Sequence, residues 1–168
     1  KKNNSINTLV IAQSWPKNLF DLKTKKILGY INKSSEAKVR FEQEFHELLS
    51  ILQKLNLRVI VIGHVPSASA ASKYMKKGFV ECIYAIGEDF CDKKYDRDKR
   101  VGILENDILR KVSNNFDNVK FLDPADALCD PDNCLIVKEN QLIYSDHAHL
   151  TKYGANLIVE LINMYIRE

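Results

Sequence analysis

The sequence predicts an α/β fold of three layers, α/β/α, with a parallel sheet between helices. Three observations carry that prediction. T-L-V-I-A at 8–12, R-V-I-V-I-G at 58–63 and N-V-K-F-L-D at 118–123 are short, largely apolar runs, as strands buried on both faces require. Stretches with apolar residues at helical spacing separate them. Strands that alternate with helices in this way build a parallel sheet covered on each side.

The first run, 8–12, is rich in β-branched residues and reads as a buried strand. Ser34-Ser35 then offers a helix cap, and Phe41, Phe45, Leu48, Leu49, Leu52 and Leu55 follow on one face, so 35–56 is an amphipathic helix. The second strand, 58–63, ends in a glycine. H-V-P-S-A-S-A-A-S at 64–72 is a loop of small residues. Val101, Leu104, Ile108 and Val112 mark a helix over roughly 97–115, and the third strand follows at 118–123. Pro124 to Asn133 carries turn chemistry, D-P-A-D and then C-D-P-D-N-C. Q-L-I-Y at 141–144 is a short extended piece. Leu150, Leu157, Ile158, Leu161, Ile162 and Tyr165 define a final helix with Thr151 as its N-cap.

The chain has 168 residues, enough for one domain with a core of ordinary size. The 25 basic and 22 acidic residues leave a net charge of +3, too small and too scattered to argue for nucleic acid or an anionic membrane surface. The densest charged run, C-D-K-K-Y-D-R-D-K-R at 91–100, mixes both signs and reads as a solvated segment. No run reaches the length of a membrane span, and no signal peptide opens the chain. The four cysteines, Cys82, Cys91, Cys129 and Cys134, lack the C-x2-C spacing of zinc sites. Two local pairs, Cys82 with Cys91 and Cys129 with Cys134, fit two disulfides formed in an oxidising compartment. Four buried free thiols are the alternative.

In parallel sheets, ligands bind at the carboxyl ends of the strands. Those ends here are Gln13-Ser14-Trp15-Pro16, Gly63-His64-Val65-Pro66 and Asp123-Pro124. Gln13, Ser14, Trp15 and His64 are therefore candidate substrate-binding residues. Trp15 is either a core residue or an aromatic wall for a sugar ring. His64 could act as a base but has no carboxylate near it in sequence, which favours a pocket-lining or structural role. His46 lies among polar neighbours and is expected to be exposed.

The most chemically dense stretch is Y-S-D-H-A-H-L-T-K-Y-G-A at 144–155. His147 and His149 could chelate a metal with Asp146 or Asp123, but no second histidine pair or cysteine pair supports that, and no metal is expected. Asp146-x-x-His149 at the start of a helix suits an acid–base pair better. A carboxylate on one ring nitrogen fixes the tautomer and leaves the other free to take a proton from a hydroxyl. An ordinary helix start with an exposed aspartate and histidine gives the same spacing.

The run resembles the last signature block of SGNH (GDSL-type) hydrolases, D-x-x-H-L-S/T-x-x-G, with Asp146 and His149 on its acid and base positions and Thr151 and Gly154 on its helix-start positions. V-K-F-L-D-P-A-D-A-L-C-D-P-D-N-C-L-I at 119–136, T-L-V-I-A-Q-S-W and V-I-V-I-G-H-V-P extend the likeness. They resemble the extracytoplasmic SGNH domain fused behind membrane acyltransferases that O-acetylate lipopolysaccharide, peptidoglycan and other glycans. The resemblance implies a flavodoxin-like SGNH fold, no cofactor, and Ser–His–Asp acyl transfer. The substrates would be an acyl ester and a cell-envelope glycan, handled outside the cytoplasm beside an N-terminal membrane acyltransferase.

Two departures qualify this. The family's Gly-Asp-Ser, which carries the nucleophile on the first strand, is absent, and Ser14 and Ser67 are the only serines at strand ends to replace it. The G-x-N-D oxyanion block is also absent. If the three runs are the third, fourth and fifth strands of the family, 8–12 has an open edge where the first strand should pair. The expectation is a fragment, residues 1–168 being the C-terminal part of one SGNH-like domain, with the serine upstream of Lys1. A non-catalytic glycan-binding domain and a secreted carbohydrate esterase are the alternatives.

Overall fold

The structure is a computed structural model that describes residues 6–13, 15, 18–21, 26–66, 79–146 and 149–166. It resolves into two compact units, one of residues 1–64 with 104–122 and one of 65–103 with 123–168.

The first unit holds the parallel sheet. β1 (Thr8–Ala12), β4 (Arg58–Ile62) and β6 (Val119–Leu122) lie in the order β1-β4-β6, with Val10 opposite Ile60 and Ile60 opposite Lys120. Only the central strand is buried along its length, from Val59 to Ile62. The expectation that all three runs are buried on both faces is corrected here. Val10 is exposed on β1 and Lys120 on β6, because each of these strands has a single paired neighbour among the described residues.

α1 (Ser35–Lys54) begins where the Ser34 hydroxyl accepts the Ala37 N–H at 3.1 Å. It ends at Leu55, and Asn56 follows in the left-handed region at φ +54°, a conformation asparagine tolerates after a helix. Phe41, Phe45, Leu49 and Leu52 pack with Val59, Val61, Ile108, Leu109 and Val112 into one core. Leu48 and Leu55, placed on the same stripe by periodicity, are exposed, as is Ile51. Helical spacing says which residues share a face, not how much of that face its neighbours cover.

α3 (Ile103–Ser113) is shorter than the 97–115 helix expected. Residues 97–99 instead form a single 3-10 turn, closed by the Asp96 side chain accepting the Asp98 N–H. Gly102 at φ +89° then separates that turn from the helix. A hairpin of β2 (Asn18–Asp21) and β3 (Lys26–Tyr30) was not expected. It lies between the first strand and α1, with Asn18 opposite Tyr30.

The second unit is built from small elements. α2 (Phe79–Ile86) is joined to the turn at 88–90 by the Cys82–Cys91 disulfide. β5 (Lys94–Asp96) pairs antiparallel with β7 (Asn133–Leu135), and α4 (Ala125–Leu128) leads into the Cys129–Cys134 disulfide. β8 (Val137–Lys138) and β9 (Gln141–Leu142) form a two-residue hairpin whose turn residues, Glu139 and Asn140, both have positive φ. α5 (Lys152–Ile166) closes the chain. Both cysteine pairings expected from spacing are formed, and among the described residues no cysteine is free.

Most of the run 91–100 is solvated as expected, with Asp92, Lys93, Lys94, Asp96, Asp98 and Lys99 exposed, but two of its residues turn inward. Tyr95 is buried in the core of this unit, and the Arg100 guanidinium pairs with Asp123 at 3.4 Å, the two side chains only 11% and 2% exposed. Mixed charge reads as a solvated surface, but here the charges alternate with a buried strand residue and a paired arginine.

Candidate active site

Asp146 and His149 meet just before the amino end of α5. Asp146 Oδ1 accepts the His149 backbone N–H at 2.8 Å, and Asp146 Oδ2 lies 2.7 Å from His149 Nδ1. One carboxylate therefore fixes both the path of the turn and the imidazole. Facing an ionised carboxylate, Nδ1 carries the proton as donor, which leaves Nε2 bare as an acceptor. The imidazole is well exposed, with 78% of its side chain accessible against 40% for Asp146. His147 lies outside the described residues.

The turn is held at its root by backbone and side-chain bonds. Ser145 N–H donates to His149 O at 2.8 Å, and Thr151 N–H to Ile143 O at 2.9 Å. The Thr151 hydroxyl donates to Leu142 O at 2.6 Å and accepts the Gly154 N–H at 3.1 Å, so Thr151 is the cap expected of it. Gly154 is required by contact rather than by its torsions. A Cβ there would stand 2.2 Å from Ile143 O. The helix start is thus pressed against the segment that precedes Asp146.

Trp15, at the end of the first strand, takes a core position. Trp15 is 2% exposed, donates its indole N–H to Ile62 O at 2.8 Å and meets Phe41 and Phe45 edge-on. Of the two roles the sequence leaves open for Trp15, the structure gives it the core one. His64 is half-buried. Its backbone N–H donates to Asn106 Oδ1 at 2.6 Å, and its carbonyl accepts Asn106 Nδ2–H at 3.2 Å. Asn106 is 1% exposed and was not singled out in the sequence, since an asparagine inside a helix pattern carries no signal of its own. Gly63 leaves room for it, because a Cβ at Gly63 would come within 2.8 Å of Asn106 Oδ1 and of Phe121. Gln13 is exposed. Ser14 and Ser67, the candidate replacement nucleophiles, lie outside the described residues. His46 is exposed, as expected, and its ring lies 5.0 Å from that of Phe116.

Asp123, the third strand-end residue, is nearly sealed from solvent and caps α4 by accepting the Ala125 N–H at 3.0 Å. Among the described residues no three His, Cys, Asp or Glu side chains are arranged to hold a metal ion. No described helix is long and apolar enough to cross a membrane.

The pattern that matches the Asp146–His149 turn and the segments before it is a family one. The SGNH domain family, described as fused to AT3 domains, matches residues 1–163. This chain belongs to that family. Among solved structures it is similar to the periplasmic domain of the lipopolysaccharide acetyltransferase of Salmonella ser. Paratyphi A, with a TM-score of 0.56 and 17% sequence identity. That match covers 80% of this chain and 52% of the other, so this SGNH domain chain spans about half the length of the structure it matches. It establishes the fold, an SGNH-type α/β arrangement around a parallel sheet, as the strand and helix pattern predicts. No curated protein matches the sequence.

Proposed function

We propose that this SGNH domain serves acyl transfer to or from a cell-envelope polysaccharide, acetyl or another short acyl group being moved through a Ser–His–Asp triad. The observation that carries this reading is the 2.7 Å contact between Asp146 and His149, in a chain of the SGNH family. His149 Nε2 would take the proton of a serine hydroxyl as that oxygen attacks the acyl carbonyl. Asp146 would stabilise the imidazolium that forms. The proton returns to the leaving oxygen, and the acyl group passes to a sugar hydroxyl or to water.

The serine itself lies outside these 168 residues in this reading. Among the described residues β1 pairs only with β4, and Val10 is exposed on it. An added parallel strand bearing Gly-Asp-Ser would complete that edge, and an apolar edge left open invites association. The family's fusion to AT3 domains supports a membrane acyltransferase as the N-terminal partner, and the two disulfides support a periplasmic or extracellular site. The absence of Gly-Asp-Ser from the sequence favours a second reading, a glycan-binding domain that kept the fold without the nucleophile.

Labelling with a fluorophosphonate probe, read by intact mass, tests both. The folded chain is expected to take no adduct. A chain extended upstream through a Gly-Asp-Ser strand is expected to take one that disappears in His149→Ala. An adduct on the 168-residue chain would place the nucleophile within it. No adduct on any extended chain would favour binding alone.

A further inference from the structure

We propose that the β2–β3 hairpin docks on the headgroup region of an anionic phospholipid membrane, through Ile27, Tyr30 and Lys33. The inference goes beyond the acyl-transfer reading and takes from it only the membrane-bound N-terminal partner.

The hairpin rests on the first unit by one side. Leu19 packs against the core, and Ile31, directly after β3, is 2% exposed within it. Ile27 and Tyr30 are left to solvent, 75% and 47% exposed. Along an unbroken strand, residues three apart face opposite sides, so one of the two would turn inward. Here the register passes from Gly29, opposite Leu19, to Ile27, opposite Phe20, and Leu28 is the extra residue of a bulge. Gly29 accommodates the bend with φ +91°. The broken alternation leaves both apolar side chains outside.

Positive charge gathers in the same segment. Residues 17–33 hold five lysines against Asp21 alone, a net +4 in a chain whose total is +3, so the remainder sums to −1. The small charge of the whole chain therefore hides a basic segment. Lys33 Nζ lies 5.4 Å from the centre of the Tyr30 ring, an ammonium beside an aromatic face. That pair suits a membrane interface, where a tyrosine ring sits at headgroup level and a lysine stem reaches the phosphates. A single exposed apolar residue needs no account. An isoleucine and a tyrosine on one short hairpin, within a lysine-rich segment, match a lipid surface. Apolar side chains enter the headgroup boundary, and each nearby lysine adds attraction to anionic lipid. An acidic glycan would engage the lysines and the tyrosine but would gain nothing from Ile27.

The test is sedimentation of the 168-residue chain, confirmed as folded by circular dichroism, with vesicles. These are phosphatidylcholine alone or an equal mixture with phosphatidylglycerol. Binding to the mixed vesicles is expected, with little to phosphatidylcholine alone, and it should weaken as salt rises. Lys33→Gln is expected to lower the partition coefficient about fivefold, and Ile27→Ser about tenfold. Both side chains are exposed, so neither variant should disturb folding. Tyr84→Ser, at an exposed tyrosine of the second unit, is expected to bind like the parent. A parent chain that binds neither vesicle would overturn the proposal, as would full binding by both hairpin variants. Binding that falls in Lys33→Gln but not in Ile27→Ser would overturn it too, marking a polyanion site without lipid insertion. Vesicle binding needs no nucleophile, so it can hold while fluorophosphonate labelling fails, and the reverse.

Discussion

Asp146 uses both carboxylate oxygens on one residue, Oδ1 on the backbone N–H of His149 and Oδ2 on its ring. Turn and tautomer are therefore set by the same group. Asp146→Asn keeps an acceptor for the backbone N–H but cannot stabilise an imidazolium. In a protein that carries the nucleophile, it should lower acyl transfer about 10⁴-fold with little loss of stability. Asp146→Ala removes both bonds and should lower melting temperature as well. Acyl-transfer rates and thermal melts on the two variants check the split.

Gly154 sits where the helix start touches the Ile143 carbonyl, and the gap will not take a methyl group. Gly154→Ala should therefore destabilise the chain by about 1–3 kcal/mol despite alanine's better helix propensity. Urea denaturation measures it. A neutral or stabilising result would mean that the close approach is not maintained in solution.

The two disulfides close short loops, with sequence separations of 9 for Cys82–Cys91 and 5 for Cys129–Cys134. Chain entropy assigns them about 2.5 and about 2 kcal/mol respectively. Reduction should lower the unfolding free energy, measured by denaturant titration, by the sum, and each Cys→Ser pair by its own part. The Cys129→Ser, Cys134→Ser variant should also loosen Tyr95, which lies opposite Cys134.

Asp130, between the two cysteines of the smaller loop, accepts the backbone N–H groups of Asn133 at 2.6 Å and Asp132 at 2.9 Å. These bonds hold its carboxyl below the ordinary aspartate value of 3.8. Because the folded value is the lower one, its stabilisation is complete above the ordinary value and is lost as pH falls through the folded one. Stability followed by denaturant titration should fall on the acid side, and Asp130→Asn should flatten that limb. An unchanged acid limb would show that the loop does not depend on this charge.

The sequence by itself determined the alternation of strands and helices, both cysteine pairs, the Thr151 cap and the meeting of Asp146 with His149. Each of these is local. An apolar run, a short loop between cysteines or a D-x-x-H spacing fixes its geometry within a few residues, so a one-dimensional pattern carries it. Only the tertiary structure decided that β1 and β6 are half-exposed while β4 is buried, since burial depends on how many neighbours a strand finds. Only it moved Trp15 into the core, where the Ile62 carbonyl answers its N–H. Only it put Tyr95 of the otherwise solvated run 91–100 into a core. Tyr95 shares a core with Tyr144, and Arg100 meets Asp123, across tens of residues, and no local spacing encodes such a meeting. The Asp146–His149 turn, by contrast, is held by bonds to residues beside it in sequence, which is why a local spacing carries it.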